Sequence, residues 1–265
     1  MKSVVPPPLI LDEYADAEAA ALYDLQYSDW TDDLPFYEAL ARRGELAALE
    51  LMAGTGRVAL HLARNGHHVV AIDNSLAMLT RLEAQLDHET AQHVRIIDAD
   101  VRDLDLAGEK FDLIYVALCS LELLHAPADQ LATLRSVAKH LAPGGVFACE
   151  IRSLTAIDWS QEPSALRHEW TRTDPATGER VTKLHSATSA PARQTTLDTL
   201  IFDRLGTDGA VRRRVLEVAL RAYGRYEFEL LLNNAGLRVT NIYGAADLSP
   251  YDDASDTLFV VAELA

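Results

Sequence analysis

Residues 47–57 read Ala-Ala-Leu-Glu-Leu-Met-Ala-Gly-Thr-Gly-Arg, and Val69-Val70-Ala71-Ile72-Asp73 follows, placing Asp73 seventeen positions beyond Gly56. The first stretch is an apolar strand that opens through a glycine turn into a helix. The second is an apolar strand that ends on a lone carboxylate. A parallel α/β sheet holds an adenine nucleoside in this way: glycines let the backbone approach the ligand, and the acid accepts hydrogen bonds from the ribose hydroxyls.

The alternation extends outward from this pair. Strands are predicted near 47–52, 68–72, 93–98, 111–118 and 145–151, with helices near 57–65, 75–87 and 128–141, the last stopped by Ala142-Pro143-Gly144-Gly145. Strands alternating with helices imply parallel βαβ units. Upstream, residues 12–27 are helix-like, with an apolar stripe at Leu11, Ala15, Ala19, Leu22 and Leu25. A second helix starts near Asp32 or Asp33 and runs to Arg43, with Gly44 as its stop. Beyond residue 152 the pattern changes. The runs Arg180–Ser186, Gln194–Arg204 and Ala210–Arg221, parted by turns at 174–178 and 206–209, predict an antiparallel sheet. A helix near 225–235 and strands near 237–243 and 256–263 then return to the first pattern. The expected organisation is an N-terminal helical arm (1–44), a nucleotide-binding core (45–151), an antiparallel cap insert (152–224) and a C-terminal completion of the core sheet (225–265).

Composition narrows the function. The 265 residues are 49% hydrophobic, which suffices for a substantial core. A formal charge of −16 argues against a nucleic-acid partner, because phosphate binding rests on lysine and arginine. Cys119 and Cys149 lie in apolar strand-like runs and read as buried thiols, and no metal site is expected. Residues 1–8 carry no apolar signal-peptide core, and no stretch reaches 18 uninterrupted apolar residues. The expectation is a soluble cytoplasmic protein with no membrane partner.

The glycine turn also excludes ligands. A dinucleotide site wants Gly-x-Gly-x-x-Gly, yet Gly54-Thr55-Gly56 is followed by Arg57-Val58-Ala59, so the third glycine is absent. No Gly-Lys-Ser/Thr follows, which excludes a P-loop. Glu50 stands four residues before Gly54, near enough to orient the loop, and Asp100 ends the third strand, where a carboxylate can accept from an exocyclic amine.

With these features in place, residues 45–150 resemble a class I S-adenosylmethionine-dependent methyltransferase. Phe111-Asp112-Leu113-Ile114-Tyr115-Val116 is similar to that family's fourth-strand motif, and Leu141-Ala142-Pro143-Gly144-Gly145 to the turn before its fifth strand. The resemblance implies a Rossmann-like seven-stranded sheet, mostly parallel with the last strand antiparallel, helices on both faces and an antiparallel β cap. It implies S-adenosyl-L-methionine as cofactor. Glu50, Ala53, Gly54, Thr55 and Gly56 would lie under its methionine part, Asp73 on the ribose, and Asp100 with Val101 at the adenine. Asn74, Met78, Arg102, Ala117, Leu118 and Cys119 complete the cofactor-binding set that the resemblance implies. The run Asp12-Glu13-Tyr14-Ala15-Asp16-Ala17-Glu18-Ala19-Ala20 looks like the arm of glycine/sarcosine-type small-molecule N-methyltransferases, which implies that Tyr14 and Tyr23 line the cofactor and substrate cavity. Two departures stand out. Asp33 falls where the resemblance places an arginine for the cofactor carboxylate, with Arg42 or Arg43 as substitutes. Cys119 replaces an expected asparagine, so the acceptor need not be an amino acid.

Methyl transfer from a sulfonium is an in-line displacement whose leaving group the cofactor supplies, so alignment is the protein's main task. A base is needed only for a protonated nucleophile. His125, just past the fourth strand, is the candidate base, with Tyr14 beside it in the catalytic set; a solvated loop histidine is the competing reading. Glu122 reads as a helix-start or surface acid, Arg152 as an exposed ion pair, Tyr27 and Trp30 as core, and Arg212-Arg213-Arg214 as a solvated sheet edge. The favoured function is methyl transfer to nitrogen or oxygen of a small-molecule acceptor. The alternatives are a non-methylating S-adenosylmethionine enzyme, acting by cofactor cyclisation or rearrangement, and a non-catalytic nucleoside-binding protein. The edges of the insert's strands are a candidate homodimer surface.

Overall fold

The computed structural model describes residues 16–27, 29–41 and 46–265. It divides into two compact units, one built from residues 15–158 and 222–265 and the other holding residues 159–221. The larger unit contains helices α1 (Ala17–Tyr27), α2 (Leu34–Ala41), α3 (Arg57–Arg64), α4 (Leu76–Ala84), α5 (Pro127–His140) and α6 (Arg225–Asn234). Its strands are β1 (Ala47–Leu51), β2 (His68–Asp73), β3 (Val94–Asp98), β4 (Phe111–Val116), β5 (Leu141–Arg152), β10 (Leu237–Tyr243) and β11 (Thr257–Leu264).

These seven strands form one sheet in the order β10-β11-β5-β4-β1-β2-β3. β1 pairs in parallel with β2 and with β4, Leu49 facing Val70 on one side and Ile114 on the other. β11 runs antiparallel to both β5 and β10. The expected Rossmann-like sheet is therefore the observed one. Because side chains alternate across a strand, β1 and β4 feed two cores. Leu49, Leu51, Ile114 and Val116 pack on one face with Leu134 and Val137 of α5. Ala48, Leu113 and Tyr115 pack on the other with Phe36 and Tyr37 of α2 and Leu62 of α3. Successive strands spread outward in opposite directions from β1 and β4, so the switch point lies between them. Open α/β sheets bind ligands outside the carboxyl ends of the strands at such a point. The segments that leave those two ends are the Gly54–Gly56 turn and the Ala117–Cys119 turn.

An ion pair and a hydrogen bond fix the helices beside the glycine turn. Arg81 Nε of α4 donates to Asp24 Oδ2 of α1 at 2.5 Å, and His61 Nε2 of α3 lies 2.6 Å from Glu38 Oε1 of α2. The predicted stripe on the first helix is buried at Ala19 and Leu22, while Leu11 and Ala15 lie outside the described residues. The end of the second predicted helix, Arg42 to Gly44, also falls outside them.

The smaller unit is a four-stranded antiparallel meander, β6 (Arg167–Thr173), β7 (Arg180–Ala190), β8 (Thr195–Leu205) and β9 (Val211–Arg221), in sequential order. Its first strand is absent from the sequence reading. Arg-His-Glu-Trp-Thr-Arg-Thr has a single large apolar residue, and a bulge between His168 and Trp170 breaks the two-residue period that would betray a strand.

Candidate active site

The glycine turn is held by the carboxylate at the end of the next strand. Asp73 Oδ2 accepts from the Gly54 amide at 2.7 Å and Oδ1 from the Ser75 amide at 2.8 Å, so one side chain ties the turn after β1 to the turn after β2. Burial raises its pKa, against the pull of these amides. Gly54 and Gly56 both have left-handed φ, +57° and +80°. A Cβ at Gly56 would stand 2.1 Å from Leu82 Cδ1, and one at Gly54 would touch the ring of Tyr23 at 3.8 Å. The turn is therefore a cradle whose shape only glycine permits.

Beneath it lies a set of buried carboxylates that sequence reading caught only in part. Glu50, 2% exposed, accepts from Tyr115 Oη at 3.2 Å and from the Ala59 amide in the first turn of α3. It thus caps the helix that the glycines open. Burial pushes its pKa up to about 8. Glu150, at the end of β5, accepts from the Leu118 amide at 2.7 Å and from Tyr37 Oη at 3.2 Å, and burial pushes it up to about 7. Asp33, also 2% exposed, receives both terminal nitrogens of Arg57: Nη1 donates to Oδ1 at 2.7 Å and Nη2 to Oδ2 at 2.5 Å. The sequence signal for Glu150 was present, a lone acid inside Val146-Phe147-Ala148-Cys149-Glu150-Ile151. Arg57 was quoted only as the residue that follows the second glycine.

The turn after β4 is strained. Leu118 and Cys119 both have left-handed φ, 50° and 54°, a conformation that costs a non-glycine residue about 1–3 kcal/mol and gathers at functional sites. The Glu150 carboxylate anchors the first of them through its amide. Ala117 is buried, Cys119 half-buried and Cys149 fully buried, and burial raises both thiols well above their ordinary range.

The remaining expected site residues are placed as follows. Tyr14 lies outside the described residues. Tyr23 packs against Tyr27 with ring centroids 4.9 Å apart and planes tilted by 52°, and burial raises its phenol. Met78, Val101, Ala53 and Thr55 are buried, and Asn74 is exposed. Both oxygens of Asp100 take the Arg102 guanidinium, at 2.9 Å and 2.5 Å, which holds Asp100 below the usual carboxylate range. His125 is exposed between a short 3-10 turn (Ser120–Leu123) and α5. Two expectations are corrected. Glu122 is fully buried rather than a surface acid, because it accepts from the amide and Nε of Arg152, both at 2.6 Å. Trp30 is 43% exposed rather than core, since its α1–α2 link lies on the surface.

Residues 48–145 match the family described as a methyltransferase domain. Over these residues, less than half of its length, the chain is similar to that domain. Its sequence is 29% identical over 216 residues to the cypemycin N-terminal methyltransferase of Streptomyces sp, covering 81% of this chain and 82% of that one. It is 29% identical over 140 residues to YqeM of Bacillus subtilis strain 168, spanning about half (53%) of each chain. Among solved structures, the CcbJ methyltransferase of Streptomyces caelestis superposes with a TM-score of 0.79 at 23% identity, covering 96% of this chain and 97% of that one, a likeness of fold. The donor set of the methyltransferase domain fits a sulfonium nucleoside. It offers a turn of two glycines with left-handed φ, a half-buried carboxylate at the end of β2, and a buried Arg57 Nε that has no hydrogen-bond partner among the described residues.

Proposed function

We propose that this protein transfers the methyl group of S-adenosylmethionine to a nitrogen or oxygen of a small-molecule acceptor. The observation that carries the reading is the Asp73 carboxylate, half-buried at the end of β2 and bonded to the Gly54 amide of a turn whose two glycines both have left-handed φ. When bound, the cofactor supplies an activated methyl on a sulfonium, with a neutral thioether as leaving group. The chain's own work is then to bind, orient and exclude water. Asp73, whose two oxygens carry more lone pairs than its amide bonds use, would accept from the ribose hydroxyls. Asp100 and Val101 would hold the adenine and the Ala53–Gly56 backbone the methionine part. Asn74, Met78, Arg102, Ala117, Leu118 and Cys119 would complete the contacts. The rings of Tyr14 and Tyr23 attract the sulfonium charge. His125 takes a proton where the acceptor arrives protonated.

Transfer to nitrogen is favoured over oxygen by the likeness of the N-terminal run to N-methyltransferases and by a relative named as an N-terminal methyltransferase. Incubation of the purified protein with S-adenosylmethionine and a panel of amines and hydroxyl compounds should yield S-adenosylhomocysteine together with a methylated amine. Methylthioadenosine as the by-product would replace the reading with cofactor cleavage, and nucleoside binding without turnover across the panel would reduce the protein to a binder.

A further inference from the structure

Arg57 uses one edge of its guanidinium and leaves the other unused. Nη1 donates to Asp33 Oδ1 and to the Trp30 carbonyl at 3.0 Å, and Nη2 donates one bond to Asp33 Oδ2. Five N–H donors are available in this fork. The two left over are Nε–H and the second hydrogen of Nη2, which point in parallel from the same side, the geometry that grips a carboxylate with two bonds. Nε is cut off from water and has no hydrogen-bond partner among the described residues, although the side chain is only 11% exposed. A buried donor left in this condition costs about 1–3 kcal/mol and calls for an acceptor.

The surroundings say which acceptor. Arg57 directly follows the glycine cradle, and it lines a cavity of about 180 Å³ together with Tyr23, Thr55, Trp30, Arg64 and Gln85. Tyr23 belongs both to this wall and to the contact with Gly54. The space is below the roughly 300–1,000 Å³ of a site for a whole drug-sized ligand, and suits the polar end of one. Asp33 meanwhile stands where the family resemblance calls for a carboxylate-binding arginine, and Arg57 is the arginine bonded to it.

We propose that Arg57 is the group that recognises the α-carboxylate of the cofactor's amino-acid end, through its Nε–Nη2 edge, with Asp33 as the positioning residue that presents that edge. The inference rests on the S-adenosylmethionine reading above and adds to it a residue that decides specificity. Asp33 locks the fork from the opposite side, so no rotamer freedom is lost when the carboxylate arrives.

Calorimetric binding of S-adenosylmethionine and of decarboxylated S-adenosylmethionine, which keeps the sulfonium and the amine, tests it without any turnover. The intact protein should bind the carboxylated form at least tenfold more tightly. Arg57→Gln should lose that preference and leave affinity for the decarboxylated form within about twofold. Arg57→Lys, a smaller lesion that keeps the charge but lacks the fork, should reduce the preference to an intermediate value, and it serves if the glutamine variant does not fold. Asp33→Asn should lower the preference while leaving the decarboxylated form unaffected. A preference that survives in Arg57→Gln or Arg57→Lys, or none in the intact protein, overturns the assignment. Failure of the intact protein to bind either compound overturns the cofactor reading itself.

Discussion

Gly56 concentrates the argument at the scale of single residues. Its φ of +80° is open to glycine at little cost, and the space a side chain would need is already held by Leu82. Gly56→Ala should therefore destabilise the protein by roughly 1–3 kcal/mol in chemical denaturation. Adding Leu82→Ala should not restore it, because relief of the clash leaves the backbone strain; full restoration would show that sterics alone shaped the turn. Glu50 and Glu150 make a second prediction. Both folded-state pKa values are raised above the unfolded value, to about 8 and about 7, chiefly by burial. Between pH 4.5 and those values the native state binds more protons than the unfolded chain, so stability falls as pH rises through this window. The expected loss from pH 5 to 8 is on the order of a few kcal/mol. Glu150→Gln should flatten the upper limb of a melting-temperature profile near pH 7 while keeping an acceptor for the Leu118 amide. A profile as steep as that of the unaltered protein would mean that Glu150 is ionised throughout.

Elements differ in how openly the sequence declares them. The parallel strands were legible because each is a continuous apolar run bounded by turn residues, as in Leu113-Ile114-Tyr115-Val116 and Val69-Val70-Ala71-Ile72. The glycine turn and Asp73 were legible because a ligand site there demands those residue types at that spacing. What stayed hidden depends on pairings far apart in sequence. Glu122 and Arg152 meet across 30 positions, Tyr37 and Glu150 across 113, and no local pattern marks such partners. β6 was hidden for a related reason, since its stability comes from cross-strand polar pairs. Glu169, lodged in its bulge, takes Lys183 Nζ at 2.7 Å and His185 Nδ1 at 3.1 Å from β7. The carboxylates of Asp198, 3.8 Å from Nε2, and of Glu169 raise His185 to about 9, and the bond from His185 is the largest influence lowering Glu169 to about 2. His185 thus contributes stability that is full below about pH 6.5 and is lost as pH climbs through 9. His185→Gln should remove that alkaline decline and slow no other transition. Amide exchange of β6 measured at pH 7 and at pH 9.5 should show protection falling with pH in the original protein and pH-independent free energies of opening in the variant.

At the scale of the whole molecule, the ligand should report the fold's purpose before any acceptor is known. The sheet brings the Gly54–Gly56 turn, the Asp73 carboxylate and the Ala117–Cys119 turn to the ends of three different strands, so a nucleoside spanning them ties together segments that only the native topology assembles. A compound that binds the folded state alone stabilises it by about 2.7 kcal/mol at one hundred times its dissociation constant. For a domain of this size that corresponds to a melting-temperature rise of roughly 5–10 °C. Saturating S-adenosylmethionine or S-adenosylhomocysteine should each produce such a rise. NAD should produce none, because the third glycine of a dinucleotide turn, which packs its helix closely on the strand, is replaced by Ala59. Asp73→Ala separates cradle from contact. It loses both the ribose acceptor and the bond to the Gly54 amide, so its ligand-free melting point should fall and its ligand-induced rise should shrink together. A variant that melts lower yet keeps the full rise would leave Asp73 as a brace for the glycine turn and place the ribose on other groups.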